Sequence, residues 1–483
     1  MMIMGSGEVM DPTAEGQWMS WPMKNCLVLS LSFTFVYTAY LAIQNLQSSL
    51  NQEANLGVVS LSVLYGSIIL FGTQSPLFIR YVGAKRVLLL AWFIHTLYTA
   101  SNFYPTFATL IPTSALLGAI AGPMWTSQGM YISAAGEKYA ALQGISTEAD
   151  LHAVLSKFNG IFFMFYEVTQ VTGNMISSFV LSTSSYNTSL TDGHNKICGP
   201  DDCPFSAQGT NVTAAAIQEP EKHVVYTLLG VFLACNVCGF MLTLFGLPQH
   251  TPTSRAETDS VLKDVVSCFK MTVDSRMLLM LPLFMGQAMA VGVLYADYTK
   301  AYISCALGVR WVGYIMTSYG ICTAIFAIGI NSLAGPLGRL VLFTVAVIID
   351  TGTLVGMLLW QPRDESVIVY FLIPAFSGIS EGIMQAQFNT LIAQVFKENI
   401  SPAFATYHTS KATSFTITFV LSTFICLRPR LYISIALYLV GLVGYVISEL
   451  RLRRKQSAEN KEVDDQNMGS FSSQKKLEND FSS

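Results

Sequence analysis

Charge is what this chain has least of. Only 12% of its 483 residues are Asp, Glu, Lys or Arg, against roughly 25% in soluble globular domains. That shortage excludes a water-soluble globule, whose surface would need far more ionised side chains. The net charge of -3 supplies no field that would draw in a nucleic acid, and none is expected as a partner. A glycine-rich phosphate loop of the Walker type is also lacking, which excludes ATP-driven pumping by this chain. Neither zinc-ligand spacing nor a Ser-His-Asp arrangement emerges from the polar segments, and those segments are too short for a catalytic domain. No enzyme activity, metal or cofactor is therefore expected. A carbonyl-lined Thr-Val-Gly filter loop is missing too, which argues against a pore. Residues 1–24 lack a basic stretch followed by an apolar one, so the first apolar run is expected to act as an uncleaved signal-anchor.

What the chain has instead is apolar length, with 52% of residues hydrophobic. A bilayer core roughly 30 Å thick needs about 20 residues of helix to cross it. Twelve runs qualify, in two sets of six. The first set covers 25–49, 57–79, 87–104, 107–134, 158–182 and 224–247; the second covers 277–297, 311–331, 340–360, 367–395, 403–427 and 431–450. The expected class is an all-α membrane protein seated in the lipid bilayer. Its parts are an N-terminal segment 1–24, a six-helix half 25–247 with a long loop 183–222, a polar bridge 248–275, a second half 276–450 and a disordered tail 451–483.

Lys and Arg fix an expected orientation. Twenty of the 27, Lys411 and the collar Arg451, Arg453, Arg454 and Lys455 among them, fall on the side of the termini. Seven fall opposite: Lys196, Lys222, Lys300, Arg310, Arg363, Arg428 and Arg430. The positive-inside rule puts both termini in the cytoplasm. Loop 183–222 then faces outward. It carries the sequons Asn187-Thr188-Ser189 and Asn211-Val212-Thr213, candidate glycosylation sites at Asn187 and Asn211. Cys198 and Cys203 in this loop are disulfide candidates on the oxidising side. Cys305 also falls outside, so the pairing among the three stays open. The other six cysteines read as lying in spans or bridge, and Cys235 and Cys238 as small core residues.

Ionisable groups inside spans are costly and face a cavity or a partner. Glu167 sits about ten residues into its run, near the bilayer midplane. Glu167, Gln170, Asn174, Ser177 and Ser178 share one helical face. Ser377, Glu381, Gln385 and Asn389 form a second stripe, and Tyr37, Tyr40, Gln44, Gln47 and Ser48 a third. Trp125, Thr126, Ser127 and Gln128 add polarity in the fourth run. Two readings stay open for Glu167 and Glu381: carriage of a proton or cation in a wet cavity, or hydrogen bonding between packed helices. Asp297 with Lys300 reads as an interfacial ion pair, Asp350 as a helix-packing partner, and His95 and His408 as packing residues.

Six plus six runs around a cytoplasmic bridge resemble the major facilitator superfamily, whose halves enclose a midplane cavity. Two turns resemble that superfamily's Gly/Asp/Arg motif, Arg80-Tyr81-Val82-Gly83-Ala84-Lys85-Arg86 and Gly335-Pro336-Leu337-Gly338-Arg339, although Arg80 and Gly335 stand where it has an acid. Further stretches are Asn45-Leu46-Gln47-Ser48-Ser49-Leu50, Gly122-Pro123-Met124-Trp125-Thr126-Ser127-Gln128, Gly173-Asn174-Met175-Ile176-Ser177-Ser178 and Gly378-Ile379-Ser380-Glu381-Gly382-Ile383-Met384-Gln385. Together these resemble the uncoordinated-93 family, especially its A-type branch. The resemblance implies a transporter-like fold with no established solute, spans one, four, seven and ten lining the cavity, and placement in the cell membrane, with an endomembrane as the alternative. Nematode members are associated with potassium channels as regulatory subunits, and a vertebrate branch escorts receptors. An accessory subunit bound to an ion channel or receptor is thus one expectation. A proton- or cation-coupled carrier using Glu167 and Glu381 is the other.

Overall fold

Inside a bilayer no water satisfies backbone N–H and C=O groups, so each apolar run must close its own hydrogen bonds as a helix. A computed structural model describes residues 21–145, 147–184, 198–204, 220–248, 266–267, 270–362, 367–396, 399–451 and 454, and no strand occurs among them. Asn187, Asn211, most of the bridge and nearly all of the tail lie outside the described residues.

The first set of helices is α1 (Trp21–Leu50), α2 (Leu56–Phe71), α3 (Ser75–Val82), α4 (Ala84–Ser101), α5 (Phe107–Leu142), α6 (Glu148–Leu181) and α7 (Lys222–Gly246). α2 and α3 are two pieces of one path, separated by a short turn at Gly72–Gln74. The second set is α8 (Ser275–Ser304), α9 (Arg310–Leu337), α10 (Arg339–Leu359), α11 (Val367–Val395), α12 (Ile400–Phe424) and α13 (Leu427–Arg451). From Leu294 onward α8 is π-helical for 11 residues, a winding that recurs at functional sites.

Nine helices among the described residues are long and apolar enough to cross a membrane. The twelve expected from sequence are not reached on that criterion, because α4, α6 and α12 fall short in apolarity. Each carries polar groups in its middle: His95 in α4, Glu167, Gln170 and Asn174 in α6, His408 and Lys411 in α12. All three are packed among the apolar helices, α4 on α5, α6 on α1 and α12 on α8.

The two sets meet through matching elements. α2 packs on α12, and α6 packs on α9. In each contact the second path of one set meets the fifth of the other, as a two-fold relation between duplicated halves requires. The turns noticed in the sequence match as well. Gly83 has φ 87° and ψ 141°, and Gly338 has φ 78° and ψ 147°, a region disfavoured for residues with a Cβ. Each turn is tied to its own set. Lys85 Nζ donates to the carbonyls of Leu244 and Leu247 at the end of α7, at 2.8 and 2.6 Å. Arg339 bonds Gln394 of α11 at 2.6 Å and Glu449 of α13 at 3.1 Å. Glu449 thus supplies, from 110 residues away, an acid that the turn itself lacks.

Segment 198–204 leaves from the first set and docks on the second. Cys198 is bonded to Cys305 and Cys203 to Cys426. The Gly199 N–H donates to the Ala301 carbonyl and the Leu427 N–H to that of Asp202, both at 2.9 Å. Arg428 pairs with Asp201 at 2.9 Å and Lys300 with Asp202 at 3.8 Å. Two expectations are corrected here. The sequence puts Cys426 inside a span, but α12 ends at Phe424, and apolar neighbours on both sides hide that end. The sequence also pairs Asp297 with Lys300, but its partner is Arg430, and neither side chain of that pair is more than 6% exposed. A carboxylate that deep needs a counter-charge buried with it, whereas Lys300 is held by Asp202. Asp350 accepts hydrogen bonds from Ser380 and Tyr438, each at 2.6 Å, and so joins α10 to α11 and α13.

Candidate functional site: a cavity between the helix sets

A cavity of about 260 Å³ lies where the two sets meet. α1, α5, α8 and α11 line it, together with α2, α4, α6, α9 and α12. Its wall brings together Tyr37, Gln44, Glu167, Gln170, Glu381 and Gln385, which the sequence stripes placed on three separate helices. All but Gln385 are 9% exposed or less.

Other members of the stripes are engaged elsewhere. Asn174 accepts from Asn45 Nδ2 at 3.0 Å and donates to the Gln170 carbonyl at 2.7 Å; it joins α1 to α6 and does not line the cavity. Ser178 accepts from the Tyr314 N–H and donates to the Arg310 carbonyl, each at 2.7 Å, tying α6 to α9. Ser48 contacts Thr299 at 3.1 Å, and Ser49 accepts from Ser304 at 2.8 Å. These bonds hold the two sets together between the cavity and segment 198–204. Gln47 belongs to a separate network with Tyr98 and Asn102, at 2.8 and 2.9 Å. In the α11 stripe Asn389 is exposed and Ser377 turns to Thr353. Of the four polar residues noted in α5 only Trp125 lines the cavity.

Sequence reasoning passes over one central residue. Lys411, counted among the cytoplasmic positive charges, lies in the cavity wall with Nζ 3.6 Å from Glu381 Oε1. The available signal is its place inside the apolar run 403–427 rather than at an end. Glu167 lines the same cavity as this pair. Two acceptors in the wall have no donor: Glu381 Oε2 and Gln44 Oε1. Gln44 Nε2 donates to the Tyr65 hydroxyl at 3.1 Å, and Gln170 Nε2 to that of Tyr295 at 3.2 Å. His95 also lines the wall, its Nδ1 donating to the Ala91 carbonyl at 2.7 Å. His408 packs against the rings of Phe404 and Tyr407.

Aromatic rings form much of the remaining wall. Tyr37, Trp125 and Tyr166 stand edge to face with centroids 5.2–5.5 Å apart. Tyr65 stacks on Phe415 across the meeting of α2 and α12, at 4.6 Å. The arrangement can hold a molecule with an apolar body and a charged end.

The model of a family described as "Ion channel regulatory protein UNC-93" matches residues 49–361 and 356–446. Protein unc-93 homolog A of Xenopus laevis is 33% identical over 435 residues, covering 88% of this chain and 92% of that protein. The putative potassium channel regulatory protein unc-93 of Caenorhabditis elegans is 27% identical over 442 residues, covering 88% of this chain and 61% of that one. Among solved structures, the nucleoside transporter NupG superposes with a TM-score of 0.59 at 11% identity, covering 89% of this chain and 99% of that one. The peptide transporter POT superposes with a TM-score of 0.58 at 12% identity, over 89% and 94%. At such identities the likeness to the two transporters is one of fold.

Proposed function

The chain belongs to the UNC-93 family of ion channel regulatory proteins, and we propose that it is an accessory subunit that binds a potassium channel and sets its activity. The observation that carries this reading is the likeness, over 88% of the chain, to a nematode relative named as a potassium channel regulator. The turns of Gly83 and Gly338 support it. Lys85 and Arg339 are each bound within their own helix set, so among the described residues neither of these two side chains latches one set to the other as a rocking gate would require. Co-purification in mild detergent tests the reading: a potassium channel pore subunit should elute with the chain in fixed ratio. Recovery of the chain alone would count against it.

We place the protein in the cell membrane with twelve crossings and both termini cytoplasmic. The bridge 248–275 and the tail from 451 then face the cytoplasm, and the disulfide-bonded segment 198–204 faces the oxidising exterior. The Lys and Arg asymmetry supports this even with Lys411 removed from the tally.

A second reading, a proton- or cation-coupled carrier of a small solute, is favoured by the Glu381–Lys411 pair and Glu167 in a cavity between the two sets. In sealed vesicles an imposed pH gradient should then drive uptake of a small solute, and Glu167→Gln or Glu381→Gln should stop it.

A further inference from the structure

The charge and shape of the cavity select a class of ligand. Two carboxyl side chains, Glu167 and Glu381, and one amine, Lys411, line it, and Lys411 is already committed to Glu381. The acceptors exceed the donors: Glu381 Oε2 and Gln44 Oε1 are unpartnered on side chains 9% and 1% exposed. A buried acceptor with no donor is costly, and a ligand that donates hydrogen bonds removes that cost. Around these groups Tyr37, Trp125 and Tyr166 present ring surfaces to the same space. Ring faces attract cations, and aromatic walls with a carboxylate recognise ammonium ligands. An anion would meet only a lysine whose charge is already matched. A neutral solute with one hydroxyl would bring one donor to two unpartnered acceptors.

We infer that the cavity is a binding site for a small organic cation, a protonated amine on an aromatic or aliphatic body. Glu381 and Gln44 accept from its ammonium, Glu167 supplies a second carboxyl in the same wall, and the aromatic wall covers its body. At about 260 Å³ the space is near the lower end of the roughly 300–1,000 Å³ usual for ligand pockets, which suits a ligand with a single ring. The site stands apart from the channel reading, because occupancy requires no partner. It also requires no movement of solute across the membrane.

Calorimetric titration of the purified full-length protein tests this with three probes of one shape and different charge: phenethylamine, 2-phenylethanol and phenylacetate. Phenethylamine should bind at least tenfold more tightly than either of the others. Glu381→Gln should weaken its binding at least tenfold. That variant leaves Lys411 without its partner, so Glu167→Gln, which breaks no ion pair, is measured beside it and should also weaken binding at least tenfold. Melting temperature reports whether each variant is folded. Phenylacetate binding as tightly as the amine, no binding of any probe, or amine binding unchanged in folded Glu167→Gln would overturn the inference. Amine binding by a protein that recovers no channel removes the regulatory reading and leaves this site in place. Channel recovery without amine binding does the reverse.

Discussion

Asp297 and Arg430 are the sharpest test at the scale of single residues. Their ion pair is almost wholly buried and joins α8 to the start of α13. Removing one member leaves a lone charge in a low-dielectric interior, at a cost of about 3–5 kcal/mol. Asp297→Asn or Arg430→Met should each lower the melting temperature clearly, and the double variant should recover much of the loss. Equal loss in the double variant would show that the pairing is not what stabilises this corner. The sequence cannot announce this pair, because its members are 133 residues apart and Lys300 offers a nearer partner. Glu167 and Glu381 are easier to find. An acid within an apolar run stands out by itself, and helical spacing places Gln170 and Gln385 beside them. Lys411 is passed over, because counting positive charges for orientation does not ask which of them lie within an apolar run.

Among elements, the segment 198–204 has the most to tell. It belongs by chain order to the first helix set, yet its two disulfides and the Arg428–Asp201 pair fasten it to the second. Peptide mapping without reduction should recover the Cys198–Cys305 and Cys203–Cys426 cross-links. Cys203→Ser should leave Cys426 open to alkylation and lower stability by about 2–4 kcal/mol; a protected Cys426 would contradict the assigned pairing. Sequence makes the loop, its two cysteines and Cys305 legible, but not Cys426 or the pairing, because these depend on where α8 and α12 end. The same limit explains the helix count. α4, α6 and α12 carry the polar residues that pack inside the bundle or face the cavity, so apolarity alone recovers nine helices among the described residues. The functional faces dilute the very signal by which spans are recognised. The matched glycine turns survive in the sequence because their backbone conformation admits little else.

The whole molecule couples a transporter-like fold to membership of a channel-regulating family. Contacts of α2 with α12 and of α6 with α9 bring the two helix sets together around one cavity, and the bonds of Ser48, Ser49 and Ser178 close them on the side of segment 198–204. Phe179, Phe245, Ile348 and Val440 are exposed on the outside of the molecule. The most direct test of the regulatory role is whole-cell recording of potassium current in cells that express the chain natively. Deleting the chain should change the potassium current, and restoring it should return the current to its original level. A potassium current that is the same with and without the chain would contradict the account.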